Sequence, residues 1–131
     1  MTQMRISEAA ELLGVSDDTV RRMVDSGRLA AGHDGAGRLV VDGVDLAAVA
    51  QEIARPAPVG VVSDESARNR MRGIVTRVLT DTVMAQVELQ CGPFRVVSLM
   101  SREAVESLGL EVGTVAVASI KSTNVVVGVS R

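Results

Sequence analysis

Two short helical stripes broken at Gly14, a proline-marked joint after Arg55 and a run of alternating strands from Met71 predict an α+β chain of two domains. The first is a winged helix-turn-helix over residues 1–55 and the second an OB-type five-stranded β-barrel over residues 65–131, with residues 56–64 as linker. Two helices with apolar faces, joined by about three residues that include a glycine, make the helix-turn-helix pattern. Five strands with a helix between the third and the fourth make the OB order.

Ser7 is a candidate N-cap for a first helix from Glu8 to Leu13, with Glu8 and Glu11 near the positive end of its dipole. Ala9, Leu12 and Leu13 fall at i, i+3 and i+4 on one apolar stripe, and Gly14 stops the helix. Ser16 caps a second helix whose first turn carries Asp17 and Asp18. Val15 and Val20 have the spacing of a hydrophobic staple, which sets the angle of entry. Val20, Met23 and Val24 form the buried face, and Gly27 suits the position after the helix end. His33-Asp34-Gly35-Ala36-Gly37-Arg38 reads as a hairpin tip, the wing, with Leu39-Val40-Val41 as the returning strand. Asp42 caps a third helix, in which Leu46, Val49, Ala50 and Ile53 share one face. His33, the single histidine, has no partners for a metal site.

The run Ser-Glu-Ala-Ala-Glu-Leu-Leu-Gly-Val-Ser-Asp-Asp-Thr-Val-Arg-Arg-Met-Val-Asp-Ser-Gly-Arg-Leu resembles the excisionase/MerR-type winged helix-turn-helix, a resemblance that spans about residues 3–54. It implies double-stranded DNA as partner, with the second helix in the major groove. Ser16 and Thr19 stand at the start of that helix, and Arg21 and Arg22 can reach phosphates or guanine edges. Arg28 at the helix exit and Arg38 on the wing are candidates for backbone phosphate. Asp17, Asp18 and Asp25 oppose tight binding by one copy, so a dimer on paired half-sites is the expected active form. The plain alternative is that these arginines pair with the neighbouring acids on a solvated face.

Two prolines spaced by one residue, Pro56 and Pro58, forbid continuation of the third helix. Val59, Val61 and Val62 suggest that part of the linker packs on something. In the second domain Val83, Ala85, Val87 and Leu89 alternate as a half-buried strand does. Thr80-Asp81-Thr82 and Cys91-Gly92-Pro93 are turns, and Phe94 to Met100 and Thr114 to Ile120 are further strands. Ser101 to Leu108 makes a short helix ended by Gly109, and Val125, Val127 and Val129 alternate in a last strand.

Three stretches of this half carry polar chemistry: Ser66-Ala67-Arg68-Asn69, then Ser101 followed seven residues on by Leu108-Gly109-Leu110, then Lys121-Ser122-Thr123-Asn124-Val125-Val126-Val127-Gly128. The first and last repeat a set of hydroxyl, cation and amide. A tetrahedral dianion offers acceptors in four directions and donates nothing, so its pocket must converge N–H groups, hydroxyls and one or two cations. In this order the three stretches resemble the molbindin (Mop, or TOBE) domain, a family that binds molybdate and tungstate. The resemblance covers roughly residues 65–129. It implies that Ser66, Ala67 and Arg68 (largely through backbone N–H), Lys121 and Ser122 come from one subunit and Ser101 from a neighbour, so that sites form between chains of a homo-oligomer, a dimer or higher. The ligand is molybdate or tungstate, and molybdenum enters only as the oxyanion. The family's molybdate-responsive repressors carry two such modules in tandem, whereas this chain has one.

Composition bounds the rest. Hydrophobic residues make up 47% of the 131, but Phe94 is the one aromatic residue, so the cores must be built from Val, Leu, Ile, Ala and Met. OB-folds that hold single strands stack bases on aromatic side chains, about 1–3 kcal/mol per base, which this barrel does not offer. Six arginines against nine acids leave residues 1–55 at −3, and eight basic against seven acidic side chains leave the remainder at +1, so DNA binding must rest on local arginines. No stretch approaches the ~18 apolar residues of a membrane span, and a single cysteine, Cys91, gives no disulfide or cysteine metal cluster, so a reducing cytoplasm is expected. No acid–base pair or activated nucleophile is visible, so no enzyme is expected. The reading is a molybdate/tungstate-responsive DNA-binding regulator. The alternatives are an intracellular molybdate store whose N-terminal half serves assembly and, more weakly, a recombination accessory of the excisionase kind.

Overall fold

The computed structural model describes residues 2–60 and 65–130. The chain separates into two compact units, Met1–Arg55 and Pro56–Arg131.

In the first unit the order is β1 (Gln3–Arg5), α1 (Ile6–Leu13), α2 (Asp17–Asp25), β2 (Ala31–His33), β3 (Leu39–Asp42) and α3 (Gly43–Ile53). The strands form one antiparallel sheet, β1-β3-β2, with Met4 opposite Val41 and Gly32 opposite Val40. Ser16 caps α2 by accepting from Thr19 N, and Asp42 caps α3 by accepting from Val44 N. Gly14 ends α1 in the left-handed conformation, φ 70°, where a side chain would be strained. Ile6, Ala9, Ala10, Val20, Met23, Leu29, Val41, Leu46 and Val49 make the core, with Val15, Val24 and Ile53 packed against it.

Three details depart from the sequence reading. Arg5, without a side-chain cap, precedes α1 in place of Ser7, and the helix starts at Ile6 because that side chain is buried. Leu12 is 64% exposed, and Ala10 takes its expected place in the core. The strand β1 was not expected, since three residues show no periodicity and pair only because β3 offers an edge. The wing turn follows β2, and the Asp34 carboxylate accepts from Ala36 N and Arg38 N, each at 2.9 Å.

The second unit runs β4 (Asn69–Thr80), β5 (Met84–Cys91), β6 (Phe94–Ser101), α4 (Arg102–Leu108) and β7 (Val115–Ile120), followed by a 3₁₀ turn, Ser122–Asn124. The antiparallel sheet has the order β6-β5-β4-β7. Its buried face carries Val75, Ala85, Val87, Leu89 and Cys91, and Val105 of α4 joins them. Val83, expected in that alternation, instead lies in the turn and is exposed. A bulge between Val75 and Arg77 interrupts the β4–β5 register. Gly73 permits the closest approach: a Cβ there would meet Cys91 Sγ at 2.5 Å and the Gln90 carbonyl oxygen at 2.6 Å.

The fifth strand is absent among the described residues. Val125 to Ser130 have no strand partner and are exposed, because the turn at Ser122–Asn124 does not return the chain along β7. Among the described residues the sheet therefore keeps open edges at β6 and β7 and shows four strands, not a closed five-stranded barrel. In the linker Val59 is half-buried, while Val61 and Val62 lie outside the described residues.

Candidate functional site

The polar stretches at the two ends of the second unit meet through the pairing of β4 with β7. Asn69 stands opposite Ile120 and donates its side-chain amide to the Ile120 carbonyl at 3.1 Å. Arg68 precedes this last pair on one side and Lys121 follows it on the other, so both leave the same end of the β4–β7 pairing. Ala67 is buried at 6% exposure, so its methyl anchors the bend while Ser66 and Arg68 face solvent. Among the described residues, the N–H groups of Ser66, Ala67 and Arg68 donate to no acceptor. Lys121 is extended (φ −62°, ψ 139°), exposed and in no ion pair among the described residues. Donors with no acceptor among the described residues, together with Arg68 and Lys121 at a strand end, suit an anion that brings its own acceptors.

Arg70, not singled out from the sequence, closes this bend. Its Nη2 donates to the Glu65 carbonyl at 3.3 Å, and its buried Nε has no hydrogen-bond partner among the described residues, the Glu65 carboxylate being 3.8 Å away.

Ser101 stands elsewhere. It ends β6 opposite Met84, beside the Thr80 end of β4, whereas Lys121 follows the residue opposite Asn69 at the other end of that twelve-residue strand. One chain therefore does not bring Ser101 to Lys121. The Ser101 hydroxyl accepts from Ala104 N at 3.1 Å and caps α4. Ser101 lines an open cleft of about 430 Å³ with Thr82, Arg102 and Glu106. Arg102 is a cation the sequence reading passed over. It pairs with Glu106 at 3.1 Å and donates to the Asp81 carbonyl at 3.3 Å. The Asp81 carboxyl is held below its ordinary range by the N–H groups of Met84 and Val83 that it accepts.

In the first unit the six candidate DNA residues divide. Ser16 and Thr19 are engaged with each other at the α2 cap, hydroxyl to hydroxyl at 2.9 Å. Arg21 pairs with Asp18 at 3.3 Å, Arg28 with Glu52 of α3 at 3.1 Å and Arg38 with Asp34 at 3.0 Å. Arg22 is exposed and forms no ion pair among the described residues. Exposed pairs of this kind contribute roughly 0.2–1 kcal/mol, so a phosphate can displace the carboxylate at small cost. The bonds from Arg38 N and Ala36 N, with the Arg38 guanidinium, hold the Asp34 carboxyl below its ordinary range.

Comparison with known proteins matches both halves. Residues 65–127 match the model described as TOBE domain, and residues 4–53 match one described as helix-turn-helix domain. Molybdenum-pterin-binding protein 3 of Clostridium pasteurianum is 41% identical over 63 residues, which is 47% of this chain and 93% of the relative. A probable molybdenum-pterin-binding protein of Haemophilus influenzae is 45% identical over 65 residues, 49% of this chain and 94% of the relative. Among solved structures, the cytoplasmic molybdate-binding protein ModG with molybdate bound aligns at a TM-score of 0.50 and 40% identity, covering 51% of this chain and 48% of that one.

Proposed function

Since the chain belongs to the TOBE-domain family and joins that domain to a helix-turn-helix domain, we propose that it is a cytoplasmic molybdate- or tungstate-responsive DNA-binding regulator and not an enzyme. One observation supports the oxyanion half: with Asn69 paired to Ile120, Ser66–Arg68 and Lys121 leave the same end of the β4–β7 pairing, and three N–H groups there have no acceptor among the described residues. The dianion takes those N–H groups, the Ser66 and Ser122 hydroxyls and the Lys121 ammonium. Several convergent dipoles make full neutralisation by cations unnecessary.

Ser101 completes the pocket from a neighbouring chain. Its distance along β4 from the Lys121 end supports a site shared between chains. So does apolar surface: Ile74, Val97, Leu99, Val115 and the valines after Asn124 are exposed, and association removes such surface from water. In that assembly the valine tail gains strand hydrogen bonds against another copy's open edge and completes the OB-type barrel.

The helix-turn-helix unit reads duplex DNA, with α2 in the major groove and Arg21, Arg22, Arg28 and Arg38 on phosphates or base edges. Anion binding at the seams changes how the DNA-reading units are spaced, and so changes DNA affinity. Calorimetry tests the anion site: molybdate releases or absorbs heat with the wild type, and Lys121→Ala weakens it strongly. No heat with either molybdate or tungstate removes the reading.

A molybdate store is the second reading, favoured by the three arginines already paired with acids and by the −3 balance of residues 1–55. The two readings differ in salt. A regulator loses DNA affinity steeply as salt rises, and Arg21→Ala/Arg22→Ala flattens that dependence, whereas a store shows neither.

A further inference from the structure

A cleft of about 300 Å³ in the first unit is lined by three arginines from three separate elements. Arg5 comes from the end of β1, Arg21 from α2, and Arg38 from the turn between β2 and β3. Ile6 and Leu39 supply apolar lining, and the one carboxylate among the lining residues is Asp17. Arg5 was not among the DNA contacts read from the sequence. It is exposed and forms no ion pair among the described residues, unlike Arg21 and Arg38.

The chemistry of the cleft selects a phosphodiester. Three planar donors that cannot lose their charge match phosphate oxygens in geometry and sign. The cleft is also where α1 begins, and Arg5, the residue preceding that helix, makes no side-chain capping bond, so the first-turn N–H groups next to Ser7 lack a side-chain acceptor. A phosphate oxygen can supply one. The cleft is open to solvent, as a site on a polymer backbone must be. Two of its arginines lie on α2 and the wing turn, the elements the DNA reading sets against the duplex.

We propose that the cleft walled by Arg5, Arg21 and Arg38 seats one backbone phosphate of duplex DNA, with Arg5 as a positioning contact that carries no base preference. This rests on the DNA-binding reading. The phosphate lies between the three side chains, exchanges with the Asp18 and Asp34 carboxylates for Arg21 and Arg38, and fixes the register of α2 in the groove.

The test uses the full chain, a duplex from its own promoter region and an unrelated duplex, with affinity measured from 50 to 200 mM salt. Arg5→Ala lowers the slope of log affinity against log salt by about 0.9 on both duplexes, so the advantage of the wild type shrinks about threefold over that range. Arg5→Lys keeps a charge at the position and restores most of the slope, and circular dichroism of both variants matches the wild type because Arg5 lies outside the core. A wild-type slope in Arg5→Ala, while the wild type binds DNA, overturns the cleft and leaves the DNA reading standing. No salt-dependent binding of either duplex by the wild type overturns both.

Discussion

At the scale of single residues, charge is held in three different ways. Lys121 is exposed with no carboxylate to meet it among the described residues, so its removal costs the fold little. Lys121→Ala should weaken molybdate binding by the worth of one charged hydrogen bond, about 1.5–3 kcal/mol or roughly ten- to a hundredfold, with an unchanged melting temperature. Calorimetry and thermal melts on the same samples check it. Glu88 is the opposite case, a carboxylate 5% exposed between Arg95, which bonds it, and Arg77 at 3.9 Å. Glu88→Ala leaves two guanidiniums that are already well hydrated, so the expected loss is about 2 kcal/mol, read as a lower urea midpoint. Asp34 holds the wing turn through two backbone N–H groups and Arg38. Its carboxyl titrates below the ordinary 3.8, so the stability it contributes is complete above that value and is lost as pH falls through the lowered one. Wild type should therefore out-melt Asp34→Ala at neutral pH and lose that advantage in acid, and a gap that stays constant with pH contradicts the turn's dependence on the ionised group.

At the scale of elements, packing decides what local pattern leaves open. Gly73 sits where β4 closes on the end of β5, and Gly73→Ala would press its methyl onto a sulfur and a backbone carbonyl that cannot both move aside. The expected cost is about 1–3 kcal/mol in a urea melt, with molybdate affinity falling as the Asn69 end of β4 shifts. The caps at Ser16 and Asp42 were legible in the sequence because a side chain bonding an N–H two or three residues on is a local event. So were the ends at Gly14 and Gly109, both left-handed. What the sequence misled on was non-local. The alternation at Val125, Val127 and Val129 marks a segment fit to be a strand, but a strand needs an edge, and this chain turns away from its own. Ser7 is the better cap by type, yet burial of Ile6 starts the helix earlier. For the proposed site, the sequence supplied candidate residue types as motifs. That Asn69 pairs with Ile120 depends on a β4–β7 register no spacing reveals, and Arg28 met Glu52 across 24 positions of chain.

At the scale of the whole molecule, the proposal is that the pocket is split between two ends of β4 and is completed only when chains meet. Mixing supplies a test of that. Ser101→Ala and Lys121→Ala chains, each weak alone, should regain a fraction of wild-type molybdate sites when co-assembled, because some seams then pair an intact Ser101 with an intact Lys121. A pocket built within one chain would regain none, and native mass spectrometry counts the anions per assembly. Val127→Asp should lower the assembly state without unfolding the chain, since Val127 is 85% exposed and leaves the core untouched. The claim that binds both units together is that oxyanion held at the seams alters the hold on DNA. It is tested most directly by the affinity of the full chain for its own promoter duplex, followed by fluorescence anisotropy with and without saturating molybdate. A change of about fivefold or more, the range of a 1–3 kcal/mol coupling, is the predicted result, and identical binding curves would contradict it.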